Sequence, residues 1–168
     1  MSIRRQSGVG LIEVLVALVI ASFALLGFAG LQMASLRYQK VAQFRSLASQ
    51  YSADIADRVR ANVAGAKNDQ YKTADSYPAN AAPDVTNCTS ACTPAQIAGQ
   101  DIYNWRVALG SAIAGGWGSI DGDVANGFTV TVYFKEPNKP KENNDPADPN
   151  CAQGTDKDVR CFKTVFMP

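Results

Sequence analysis

The chain has 168 residues, 46% of them hydrophobic and 18% charged, with a formal net charge of +1. It contains no histidine, which excludes a Ser-His-Asp or Cys-His nucleophile system and any histidine-ligated metal. So balanced a charge gives no electrostatic footprint for nucleic acid, and no direct nucleic-acid binding is expected. The averages also hide a division. Residues 9–36 hold 21 apolar residues in 28 positions and one charge, Glu13, whereas every other charged residue except Arg4 and Arg5 lies from Arg37 onward.

The first eight residues are short and basic. The apolar run that follows includes 23 consecutive uncharged positions, 14–36. About 20 apolar residues cross a bilayer as a helix, so the run is long enough. A secretory signal peptide shares the basic start and apolar centre, but this run is too long and no A-x-A-like site closes it. A plain membrane anchor leaves Glu13 unexplained, because a carboxylate is costly in lipid and is functional there by default.

The segment Gly8-Val-Gly-Leu-Ile-Glu13-Val-Leu-Val-Ala resembles the class III signal of type IV pilins and pseudopilins. That resemblance implies cleavage by a prepilin peptidase between Gly8 and Val9 and N-methylation of Val9. It also implies an assembly role for Glu13, which becomes the fifth mature residue. The usual first two mature residues are Phe and often Thr; here they are Val9 and Gly10. In the family the Glu is thought to meet the N-terminal amine of a neighbouring subunit, giving docking and register rather than catalysis. A buried amine and a buried carboxylate each need a counter-charge.

The helix is expected to continue past the apolar run. Beyond Leu31 no Pro or Gly occurs until Gly65. Val41, Phe44, Ala48, Tyr51, Ile55, Val59 and Val63 recur at spacings of three and four, the stripe of an amphipathic helix. Residues 10–64 thus read as one helix about 80 Å long, ended by Gly65. Gly27 and Gly30 interrupt its apolar half, either as weak points or as close-contact sites between helices.

Residues 65–92 are polar and turn-rich. Thr93-Pro94-Ala95-Gln96 reads as a capped helix start, and Ala98, Ile102, Trp105, Leu109 and Ala112 form its apolar stripe. Gly127–Lys135 alternates strictly and reads as a half-buried strand with Phe128, Val130, Val132 and Phe134 on one face. Ser119–Asp123 is a weaker preceding strand, and Val159–Met167 is the last. The fold class is therefore α+β. In the pilin fold that the resemblance implies, a long N-terminal helix packs on an antiparallel sheet of three or four strands. The organisation expected is a leader (1–8), a membrane or filament-core half-helix (9–36), an amphipathic half-helix (37–64) and a periplasmic head (65–168).

All four cysteines, Cys88, Cys92, Cys151 and Cys161, follow the apolar run. Their spacings fit zinc poorly, and an even count in a short exported domain favours disulfides. Three connectivities exist; Cys88–Cys92 and Cys151–Cys161 are favoured because each pair lies on one loop or loop–strand unit. Flanking charges do not orient the helix, since Arg4 and Arg5 on one side are matched by Arg37, Lys40 and Arg45 on the other. Oxidised cysteines place the head in the periplasm. Asn143, Asn144, Asp145, Asp148, Asp156 and Asp158 gather on one loop, without the regular ligand spacing of a calcium site. Neither a metal nor a cofactor is expected, and the chain is not read as an enzyme.

Residues 25–37, residues 45–62 and the Cys92-Thr-Pro-Ala-Gln-Ile-Ala segment are similar to minor pilins of the PilV type. This resemblance implies a subunit that primes pilus assembly or sits at the tip, with other minor pilins, the major pilin and a PilY-type tip adhesin as partners. Adhesion, twitching motility or DNA uptake would follow, and the protein would pass from the inner membrane to an extracellular pilus. The alternatives are a minor pseudopilin of type II secretion and a membrane-anchored periplasmic binding module that never assembles.

Overall fold

The first helix, α1, spans Leu11–Ala61 without a break, as a run free of proline allows. The computed structural model describes residues 10–73, 77, 88–136, 148–149, 151 and 158–168. The chain divides into two units, Met1–Gln39 and Lys40–Pro168. A short α2 (Val63–Lys67) and a longer α3 (Pro94–Ala112) precede three strands, β1 (Trp117–Asp123), β2 (Gly127–Lys135) and β3 (Val159–Phe166). The sheet order is β1-β2-β3. Both pairings are antiparallel, with Trp117 opposite Tyr133 and Phe128 opposite Phe166. This is the expected α+β arrangement of a long N-terminal helix and a three-stranded sheet.

Within the second unit, α1 buries Phe44, Ala48, Ser52, Ile55, Ala56 and Val59. They join Trp105 and Leu109 of α3 and Phe128, Val130, Val132 and Phe134 of β2 in one apolar core. Phe44 meets Phe134 edge-on, with ring centroids 6.1 Å apart. Phe166 of β3 belongs to this core and Phe162 packs against it. α3 begins as its sequence prescribes. Thr93 Oγ1 accepts from the Gln96 N–H (3.3 Å), and Gln96 Oε1 accepts from the Thr93 N–H (2.9 Å), so two otherwise orphaned donors are satisfied.

Four expectations need correction. Gly65 does not end the long helix; it is buried inside α2. The break falls at Asn62, whose side chain accepts from the Gly65 N–H (3.2 Å) and donates to Pro94 O (2.8 Å). Glycine is required there because a Cβ would come within 2.5 Å of Asn62 Nδ2. Val63 lies past that break, is 42% exposed and leaves the stripe. The first strand starts at Trp117 rather than Ser119, and β2 is buried on both faces.

The second face of the sheet carries its own small cluster of Trp117, Tyr133, Val159 and Cys161, with Tyr77 and Cys151 packed against it. Tyr77 stacks on Tyr133, centroids 4.9 Å apart. The Arg106 guanidinium lies 4.3 Å from the Trp117 ring centroid, and its Nε donates to Gly118 O (2.9 Å). Cys151 is bonded to Cys161 inside this cluster, with Cα atoms 5.2 Å apart. Cys88 is bonded to Cys92 just before α3, Cα atoms 5.7 Å apart.

Two buried side-chain groups have no hydrogen-bond partner among the described residues, the Ser52 hydroxyl and the Trp117 indole N–H. Ser52 is 1% exposed, and its hydroxyl makes no hydrogen bond. A buried unsatisfied hydroxyl costs about 1–3 kcal/mol, and alanine is the better helix former. Ser52→Ala is therefore expected to raise stability by about 1 kcal/mol, read as a higher denaturation midpoint with an unchanged slope. A lower midpoint would mean that Ser52 packs or bonds in a way this geometry does not contain.

Candidate functional site

The described residues of the first unit form no core. Every residue from Gly10 to Leu36 is exposed, including Leu11 at 86% and Phe23 at 71%. α1 is the one helix among the described residues long and apolar enough to cross a membrane. An apolar surface of this extent is stable only against lipid or other helices. The helix satisfies its own polar groups where it can: the Ser22 hydroxyl donates to Leu18 O (2.7 Å), which removes the cost of a bare hydroxyl in a dry environment. Gly27 and Gly30 have nothing within 4 Å of a notional Cβ, so nothing among the described residues requires glycine there.

Glu13 stands in the first turn of α1. Its N–H donates to Gly10 O (3.0 Å), and the Val14 N–H reaches the same carbonyl at 3.3 Å. A carboxylate in the first turn is favoured by the positive end of the helix dipole. Among the described residues it has neither an ion pair nor a hydrogen bond for its side chain, and apolar residues surround it in sequence. The site is thus a single carboxylate at the start of an exposed apolar helix, with no charged or reacting partner among the described residues. Gly8 and Val9, the residues expected to flank the cleavage point, lie outside the described residues, as does most of the acidic loop at 143–158.

A polar network missed by pattern reading secures the far end of α1. Arg58 pairs with Asp54 (3.1 Å) and with Asp101 of α3 (3.3 Å). Tyr71 donates its hydroxyl to Asp101 Oδ2 (2.6 Å) and accepts from Asn62 Nδ2 (3.3 Å). Burial, reinforced by the Asp101 carboxylate, pushes the Tyr71 phenol well above its ordinary value. Burial pulls the Arg58 guanidinium down, but Asp54 and Asp101 outweigh it and hold it above the usual value. On the β1–β2 turn, the Gly122 N–H and Lys72 hold Asp121 below the usual carboxylate range. Asn126 does the same for the exposed Asp123, where hydrogen bonds from the Ala125 and Asn126 N–H groups fix the turn (2.8 Å each).

The Tyr71 shift has a signed consequence. Because the folded phenol titrates above its ordinary value of 10.0, its contribution to stability is complete below about pH 10 and declines as pH rises further. Tyr71→Phe is expected to cost about 1.5–3 kcal/mol, the range for a hydrogen bond to a charged group. It should also remove part of the alkaline loss of stability, as measured by unfolding at pH 8 and above pH 10. An equal alkaline slope in the two proteins would contradict this assignment.

Residues 3–29 match the family model described as the prokaryotic N-terminal methylation motif. The match covers Arg4, Arg5, Gly8, Val9, Glu13 and much of the apolar run, and it indicates a type IV pilin-like protein, pilin or pseudopilin. That motif belongs to structural rather than enzymatic proteins, implies processing by a prepilin peptidase, and fits membrane anchoring followed by incorporation into a pilus. No curated protein and no solved structure matches the chain.

Proposed function

We propose that this chain is a minor type IV pilin of the PilV type. It would be cleaved between Gly8 and Val9, methylated on Val9, held in the inner membrane by residues 9–36 with its head in the periplasm, and then drawn into a pilus. The observation that carries the reading is the coincidence of the methylation motif with an exposed apolar half-helix. The other half of the same helix is anchored in an α+β head by Phe44, Ile55 and Val59. In the assembled filament the Glu13 carboxylate meets the N-terminal amine of the adjacent subunit. The two disulfides, Cys88–Cys92 and Cys151–Cys161, suit the oxidising compartment into which the head is exported. The domain order of leader, assembly half-helix, amphipathic half-helix and head follows from this reading.

Its role is to prime assembly or to occupy the tip with other minor pilins and a PilY-type adhesin, supporting adhesion, twitching motility or DNA uptake. The similarity of residues 25–37 and 45–62 to PilV-type minor pilins supports this finer assignment. Deletion of the gene tests it: surface pili should be lost or sharply reduced while exoprotein release continues. Normal pili with blocked exoprotein release would instead identify a secretion pseudopilin.

A further inference from the structure

Where α1 leaves its apolar run, the charges are all of one sign. Between Glu13 and Asp54 the sequence holds Arg37, Lys40 and Arg45 and no acidic residue. Lys40 and Arg45 are exposed and have no carboxylate partner among the described residues. Arg58, Arg60, Lys72 and Arg160, by contrast, each pair with an Asp or Glu at 2.9–3.3 Å, whereas Lys67 and Lys163, far from the apolar run in sequence, share the lack of an ion pair among the described residues. The nearest carboxylates further along the helix, Asp54 and Asp57, are already engaged by Arg58 and Arg60. Tyr38, 75% exposed, sits among these basic residues, a residue type that favours the boundary between lipid and water.

The spacing matches the thickness of a bilayer. The 23 uncharged residues cover about 34 Å along a helix, slightly more than the roughly 30 Å hydrocarbon layer. Tyr38 and Lys40 then fall in the headgroup layer, and the Arg45 backbone lies about 14 Å past the run, beyond that layer, so only its long side chain can reach back to it. Helical side chains lean toward the helix N-terminus, so both cations reach back toward lipid. Their positions are about 140° apart around the helix. They flank Phe44, the first residue of α1 to be buried in the head core.

We propose that Lys40 and Arg45, with Tyr38 beside them, form a collar that binds the anionic phosphate headgroups of the membrane face from which α1 emerges. The collar rests on the membrane reading above. It adds a specific partner, anionic lipid, for two cations that have no carboxylate partner among the described residues, and it sets the depth at which the subunit waits before assembly.

The test uses the full chain reconstituted into nanodiscs of phosphatidylcholine with phosphatidylglycerol, with native mass spectrometry counting the lipids retained. The wild type is expected to retain phosphatidylglycerol preferentially. Lys40→Gln and Arg45→Gln should each lower that preference by roughly fivefold, and salt should weaken it. Lys67→Gln, an exposed cation on α2, should leave it unchanged. Equal retention of both lipids, or a preference untouched by the double variant, overturns the collar while leaving the membrane reading standing. So does a double variant that fails to enter pili with lipid retention intact, since this would assign the cations to an acidic surface of another subunit. A chain that does not enter either kind of disc contradicts the membrane reading and the collar together.

Discussion

Glu13→Leu is expected to be processed and inserted into the membrane normally and yet to be absent from assembled filaments. Leucine suits lipid better than glutamate does, so any loss cannot come from failed insertion. Among the described residues the carboxylate has no partner, so its removal breaks no ion pair within that part of the isolated subunit. On the docking role proposed for Glu13, the loss arises in the filament, where the adjacent N-terminal amine would be left buried without a counter-charge. Breaking a buried pair in this way costs about 3–5 kcal/mol, at least a hundredfold in occupancy. Glu13→Gln keeps the shape and a hydrogen-bonding oxygen and should show an intermediate defect. The measurement is the amount of protein in sheared pili relative to membranes. Normal incorporation of Glu13→Leu would remove the docking role assigned to this residue.

Trp105→Ala is expected to give the largest stability loss in the head, about 3–5 kcal/mol. Trp105 is fully buried and joins three elements. It projects from α3, its Nε1 donates to Tyr51 O on α1 (2.9 Å), and its six-membered ring lies so close to β1 that a Cβ on Gly118 would run into it. Truncation removes apolar burial and opens a cavity, and the lost hydrogen bond leaves the Tyr51 carbonyl with only its helical partner. Trp105→Phe separates these effects: it keeps most of the ring and should cost much less. Gly118→Ala tests the same contact from the other side, because backbone and indole cannot both hold their positions. Chemical denaturation of the three variants checks the order. A Trp105→Ala protein within about 1 kcal/mol of wild type would show that the head is held elsewhere.

The features legible in the sequence are those set by local periodicity or by short spacing. Thr93 and Gln96 are three residues apart and form their capping box without help from the rest of the chain. The alternation of Phe128, Val130, Val132 and Phe134 identifies the core face of β2 directly. Glu13 stands out because a single charge in a long apolar run has few bland explanations. The features that escaped depend on residues distant in sequence. Tyr71, Arg58 and Asp101 look like ordinary surface residues until α3 returns beside the end of α1. Asn62 stops the long helix through bonds to Gly65 and Pro94, and only the latter's position makes that stop effective, so Gly65 was the nearer but wrong signal. The second cluster around Trp117, Tyr133 and Cys161 was hidden because the Thr and Lys residues that share its sheet face look solvent-facing. The cross-strand register places Trp117 and Cys161 on either side of Tyr133 and so brings aromatic rings and a disulfide together.

The most direct measurement is the intact mass of the protein purified from its own membranes, with fragmentation of its N-terminus. The predicted species begins at Val9, carries one methyl group on the α-amine and lacks four hydrogens for two disulfides. Removal of Arg4 and Arg5 leaves it with a formal net charge of −1. A chain that retains Met1 to Gly8 in membranes where the prepilin peptidase is active would contradict the reading of this protein as a processed pilin.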